Sequence, residues 1–150
     1  MVLKRVVVTG LGALTPIGNT VSEYWNALIN GKSGAALITY YDTEKHKTKF
    51  ACEVKNFNAE DFIDKKEVRR LDKFSQYAIV ASDEAIKDAG LDLEKINKYR
   101  TGVIWGAGIG GLETFQDEVL NYAKGDGTPR FNPFFIPKMI ADIAPAHISM

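Results

Sequence analysis

The sequence predicts an α/β fold, and three observations carry that prediction. Val6-Val7-Val8 and Val103-Ile104-Trp105 are continuous apolar runs, the pattern of strands buried on both faces in a parallel sheet. Between them, from about Lys66 to Ala89, apolar residues recur at helical spacing. Phe74, Ala78, Ala81 and Ala85 share one face there, and Gly90 supplies the stop. Both strand-like runs lead into glycines, and helix-like sequence follows each.

The remaining elements follow in order. Gly10 and Gly12 end the first run. Thr20-Val21-Ser22-Glu23 is a capping box, in which the Thr20 hydroxyl accepts from the Glu23 amide while Glu23 reaches back. The helix it opens carries Trp25 and Leu28 and stops at Gly31. Ala36 to Tyr41 reads as a strand or as an extended loop. Phe50, Cys52 and Val54 alternate with Ala51 and Glu53, the mark of a half-buried strand. Leu112 to Ala123 is predicted helical, with Glu113 in the first turn where the helix dipole favours it. Lys124 to Pro137 carries Gly125, Gly127, Pro129, Pro133 and Pro137, which predicts a long surface loop. Such loops inside compact domains are usually functional. Lys138 to Met150 has an amphipathic helical pattern interrupted by Pro145. Nothing polar caps that last stretch, and two buried-type strands are few for a parallel sheet covered on both faces. The 150 residues therefore read as an unfinished domain.

Composition narrows the function classes. Nineteen basic residues balance nineteen acidic ones, so no global field points to nucleic acid or to an anionic membrane. No apolar run approaches a membrane span of about 20 residues. The opening MVLKRVVVTG is a poor signal peptide, which makes a cytoplasmic location the expectation. One cysteine forms no internal disulfide, and two distant histidines add no metal-ligand spacing, so no metal site is expected.

The glycines raise the question of a nucleotide. Gly106-Ala107-Gly108-Ile109-Gly110-Gly111 is a literal G-x-G-x-x-G between a predicted strand and a predicted helix. After that helix, however, comes the proline-rich loop and not a second strand ending in an acid. In the earlier stretch VVVTGLGALTPIGN, Thr15 replaces the third glycine and Asp42 falls later than a ribose-binding acid should. No G-K-[ST] makes a phosphate loop of the Walker kind. An NAD-dependent oxidoreductase is thus a weak alternative. Glycines also let a backbone approach a ligand or another helix closely, and Ile109 among them would face a narrow apolar cleft.

Four segments in order, KRVVVTGLGALTPIGN, KEVRRLDKFSQYAIVAS, GAGIGG and FNPFFIP, resemble the N-terminal part of the β-ketoacyl-acyl-carrier-protein synthases, with the last two favouring the type II branch of these elongating condensing enzymes. The resemblance implies a thiolase-like layered α/β/α fold of two related halves in a homodimer. Residues 1–150 would form the N-terminal part of the first half, ending before the catalytic cysteine segment. It implies decarboxylative Claisen condensation of malonyl-carrier protein with an acyl thioester, in fatty acid elongation. No free cofactor is implied, since substrates arrive on the phosphopantetheine arm of acyl carrier protein. A noncatalytic, chain-length-factor-like binding subunit of the same fold is the main alternative.

Residue by residue, the resemblance assigns nothing catalytic within this chain. Lys66, Arg69 and Arg70 match the family's carrier-protein docking pattern, with Lys65 as a flank; without that context the run reads as a solvated face. Gly108 and Ile109 match the acyl-channel segment. Phe134 matches a residue reaching the partner subunit's acyl channel, with plain core packing as the competing reading. Cys52 is expected to be a structural core thiol beside Phe50 and Val54, because buried cysteines are mostly inert. His46 is expected in a solvated loop and His147 in the terminal helix, neither catalytic.

Overall fold

A computed structural model describes residues 3–150. The chain divides into two compact units. The first comprises Met1–Phe57 and Asp83–Leu91, and the second Asn58–Ser82 and Asp92–Met150.

In the first unit, α1 (Val21–Ile29) begins as the capping box requires. Glu23 N–H donates to the Thr20 hydroxyl at 3.2 Å, and the Glu23 carboxylate reaches back to the Asn19 amide at 2.8 Å. Gly31 ends the helix with φ 63°, a left-handed conformation that only glycine adopts cheaply. The buried residue of α1 is Ala27, while Trp25 and Leu28 lie exposed. Strand β1 (Ala36–Leu37) pairs antiparallel with β2 (Phe50–Ala51), so the first of the two readings of 36–41 holds for two residues.

Two expectations for this unit are corrected. Val6-Val7-Val8 is not a strand, and Val6 is 88% exposed. A strand needs a neighbour to satisfy its N–H and C=O groups, and among the described residues only β1 and β2 pair. Cys52 is likewise exposed and not a core thiol. A two-stranded ribbon carries no second layer by itself, so alternation along it does not create an inside.

What fixes the segment after Val8 is a set of carboxylates at the end of α3 (Lys73–Asp88). Leu11 N–H donates to Asp88 at 2.9 Å, Ala13 N–H to Glu84 Oε2 at 2.9 Å, and Val21 N–H to Glu84 Oε1 at 2.9 Å. One Glu84 side chain thereby holds both the glycine segment and the first turn of α1. Gly10 is needed because a Cβ there would overlap the Ala85 carbonyl oxygen and the Ala89 backbone.

In the second unit the expected long helix is broken. Helix α2 (Lys65–Val68) is one turn, and α3 restarts at Lys73. Asp72 causes the break: its Oδ1 accepts from Phe74 N–H at 3.3 Å, as an N-cap does. The part of α3 up to Ser82 belongs here, with Ser75, Gln76, Ala78 and Val80 buried. Gln76 closes the joint, its Nε2 donating to the carbonyls of Val68 at 3.3 Å and Leu71 at 3.2 Å. Helix α4 (Leu112–Lys124) matches expectation closely. The end of the expected loop and the terminal amphipathic stretch become two short helices, α5 (Phe135–Met139), which takes the last three loop residues, and α6 (Ile143–Ser149), with Pro145 in the first turn of α6, where its missing N–H costs nothing. Val103-Ile104-Trp105 forms no strand, Ile104 being fully exposed, for the same reason as Val6 to Val8.

Among the described residues no helix is long and apolar enough to cross a membrane, and no cluster of three or more His, Cys, Asp or Glu side chains gathers. Replacing Gly10 by valine should destabilise the full-length protein by about 2 kcal/mol through overpacking against α3. Denaturant unfolding monitored by Trp fluorescence checks this, and an unchanged midpoint would contradict the close approach.

Candidate functional site

The second unit holds a cleft of about 670 Å³ that gathers three of the four residues matched to carrier-protein docking. Lys66, Arg69 and Arg70 line one side of it, and Arg130, Phe131, Asn132, Pro133 and Phe134 line the other. Glu118 and Asn121 of α4 complete the lining.

Local chemistry explains each wall. Asp64 caps α2, accepting from Lys66 N–H at 2.8 Å, and the single turn that follows places Lys66 three and four residues before the two arginines, on one face. Lys65 points to different company, pairing with Glu60 at 3.4 Å, and does not line the cleft. Arg70 pairs with Glu67 at 3.1 Å, an exposed pair of small energetic weight. Among the described residues neither Lys66 nor Arg69 forms an ion pair. Among these residues their charges are therefore not neutralised by a carboxylate.

The opposite wall is built by an Asn-Pro turn. Asn132 N–H donates to Glu118 at 3.1 Å, and the Asn132 side-chain oxygen accepts from Phe134 N–H at 2.8 Å. That turn aims Phe134 at the basic side, where the Arg70 guanidinium lies 5.2 Å from its ring centroid. Phe134 is 38% exposed, so core packing does not describe it. Behind it, Phe131 stacks on Phe135 at 5.8 Å, and Phe135 on Phe115 at 6.2 Å.

Arg130 was missed in the sequence, where it stands alone between Pro129 and Phe131. Only its position in space gives it company. Asp126 holds it at 3.2 Å while accepting from Thr128 N–H at 2.9 Å. The Thr128 amide, then the Thr128 hydroxyl, and lastly Arg130 hold the Asp126 carboxyl below its ordinary value, against a smaller opposing effect of burial.

The glycine loop lies elsewhere in this unit. Ile109 is 69% exposed and does not line the cleft, and a Cβ at Gly106 or Gly108 would meet nothing within 4 Å. Gly110 and Gly111 are the ones that allow close approach. Gly110 has φ 86°, and a Cβ on it would overlap the Met139 carbonyl. A Cβ on Gly111 would overlap the Lys138 carbonyl and stand 3.0 Å from Asp72 Oδ2. The amides a pyrophosphate would use are already engaged. Gly111 N–H donates to the Met139 carbonyl at 3.0 Å, and Thr114 N–H to Asp72 Oδ2 at 3.2 Å. A dinucleotide anion would have to displace a carboxylate from that helix end, which removes the oxidoreductase reading of this loop.

The beta-ketoacyl synthase N-terminal domain matches residues 3–150. The chain belongs to the β-ketoacyl synthase family. It is 51% identical over 148 residues to 3-oxoacyl-[acyl-carrier-protein] synthase 2 of Staphylococcus aureus (strain COL), covering 98% of this chain and 35% of that protein. To the synthase of the same name from Synechocystis it is 46% identical over 141 residues, covering 94% of this chain and 34% of that protein. This β-ketoacyl synthase chain thus spans about a third of the length of these relatives.

Solved structures agree. The ishigamide ketosynthase/chain length factor superposes with a TM-score of 0.83 at 30% identity, over 95% of this chain and 36% of that one. A type II PKS acyl-carrier protein in complex with its ketosynthase bound to the hexaketide gives 0.76 at 26% identity, over 95% and 38%. The fold is therefore that of the N-terminal part of a thiolase-like α/β ketosynthase, as the sequence predicted.

The Asp126 turn gives a test of how Arg130 is held. Because its carboxyl is depressed in the folded state, its contribution is present above the ordinary carboxylate value and is lost as pH falls through the folded one. In an NMR titration, Asp126 should titrate below the ordinary aspartate value, and Thr128→Ala, which removes the hydroxyl but keeps the amide, should move it part of the way up. An Asp126 curve unmoved by that change would contradict the hydroxyl's part.

Proposed function

We propose that this chain is part of a 3-oxoacyl-[acyl-carrier-protein] synthase II, catalysing decarboxylative Claisen condensation of malonyl-carrier protein with an acyl thioester in fatty acid elongation. The enzyme is an acyltransferase acting as a cytoplasmic homodimer, and its catalytic residues lie outside residues 1–150. The observation that carries the reading is identity of about half over nearly the whole chain to synthases of that name.

Acyl carrier protein docks at Lys66, Arg69 and Arg70 in this proposal, with Lys65 at the flank. Gathering of those side chains in one cleft with Arg130 supports it, because an acidic partner gains most from charges that converge. Arginine forks suit carboxylates bidentately. A solved ketosynthase relative is itself in complex with an acyl-carrier protein. The substrates arrive as thioesters on the carrier's phosphopantetheine arm, and no free cofactor is used. Gly108 and Ile109 line the acyl channel, and Phe134 contributes to the partner subunit's channel. An alkyl chain gains about 0.8 kcal/mol for each CH₂ it buries, which makes an apolar wall effective.

A noncatalytic chain-length subunit of the same fold is the second reading, and the TM-score of 0.83 to a ketosynthase/chain length factor structure is compatible with both. The residue at the nucleophile position decides between the two.

Two outcomes test the assignment in the full-length enzyme. Arg69→Glu combined with Arg70→Glu should weaken carrier-protein binding on the order of tenfold or more and flatten its salt dependence. Titration at low and high salt reads this, and unchanged affinity at low salt rejects the docking role. Ile109→Phe should shorten the acyl chains accepted, and a product profile identical to wild type dismisses the channel role.

A further inference from the structure

Asp72 lies between the two features the proposed function relies on. It follows the basic docking turn by two residues and is 7% exposed. Its two carboxylate oxygens serve different helices. Oδ1 accepts from Phe74 N–H at 3.3 Å and caps α3. Oδ2 accepts from Thr114 N–H at 3.2 Å and from the Thr114 hydroxyl, capping α4 from outside.

Helix α4 has no side chain of its own for this, since Gly111 occupies its N-cap position. Without Asp72 its first-turn amides would lose a charged acceptor. The loop bearing Ile109 runs directly into that helix end. Gly111 N–H is tied to the Met139 carbonyl at 3.0 Å, and Gln76 ties the α2–α3 joint to the carbonyls of Val68 and Leu71. The turn carrying Lys66 and Arg69 is thus connected, through one buried carboxylate, to the helix end into which the Gly106–Gly111 segment runs, with a hydrogen bond at each step. A second link runs alongside, the Lys73–Glu113 pair at 2.9 Å.

We infer that Asp72 is a positioning residue for the condensation, one that sets the Ile109 loop relative to the carrier-docking face through Thr114. The inference rests on the proposed function above. It assigns Asp72 no contact with substrate. Its effect is on where the acyl chain meets the loop, so it should appear in chain-length selection and turnover more than in carrier binding.

The test uses the full-length synthase with Asp72→Asn, Thr114→Val and Thr114→Ser. Turnover should fall about tenfold in Asp72→Asn, short of the roughly 100-fold that a 1 Å misplacement can cost. The product chain-length distribution should shift in Asp72→Asn and, less strongly, in Thr114→Val. Carrier-protein Kd should stay within about twofold of wild type. Thr114→Ser keeps the hydroxyl and should keep the wild-type distribution, so that a shift in Thr114→Val is traced to the hydroxyl, which a role confined to stability would not predict. Thr114→Val leaves every backbone bond in place and decides the matter if Asp72→Asn does not fold. A wild-type distribution in folded Thr114→Val overturns the inference. Ile109→Phe, run in parallel, separates the failures: if it shifts the distribution while Thr114→Val does not, only the positioning role falls, and if neither shifts, the channel reading falls with it.

Discussion

A single buried carboxylate organises the second unit. Asp72 ends the helical run that would otherwise continue from Lys65, starts α3, and completes α4, three tasks that depend on having two acceptor oxygens in one place. A carboxylate buried this far is costly unless both its oxygens find donors. Here two amides and a hydroxyl supply them. The glycines at 110 and 111 belong to the same arrangement, because only residues without a Cβ let the backbone of 138–141 and the Asp72 side chain come so near the helix end.

The first unit solves a similar problem with a similar device. The segment Leu11 to Ala13 and the start of α1 need acceptors for their amides, and Glu84 and Asp88 provide them. The first glycine segment, and the helix end that follows the second, are thus bound internally by carboxylates. The same backbone geometry that attracts a phosphate attracts an aspartate or glutamate, and the protein has satisfied it from within.

The basic cleft follows from a different constraint. A one-turn helix cannot bury much, so α2 presents Lys66 and Arg69 outward, and the Asn132-Pro133 turn brings aromatic surface up against Arg70. Charge and apolar area thereby share one cleft. In a chain of zero net charge such a patch stands out as a local concentration of positive charge.

Local signals were legible in the sequence wherever a few neighbouring residues settle the outcome. The Thr20 cap, the stops at Gly31 and Gly90, the span of α4 and the pairing of Lys66 with Arg69 and Arg70 on one face all depend on spacing within a turn or two. The family, too, was legible, from four ordered segments. What the sequence alone did not determine needs partners distant in the chain. Whether Val6 to Val8 and Val103 to Trp105 become strands depends on neighbours to bond with, and a run of apolar residues carries no information about them. Asp72 looked like one polar residue inside a helical pattern until Thr114, 42 positions away, was placed beside it. Arg130 gained its meaning only when the turn at Asp126 carried it to the cleft holding Lys66 and Arg69. Tertiary structure decided these, because burial and convergent charge are properties of neighbours in space.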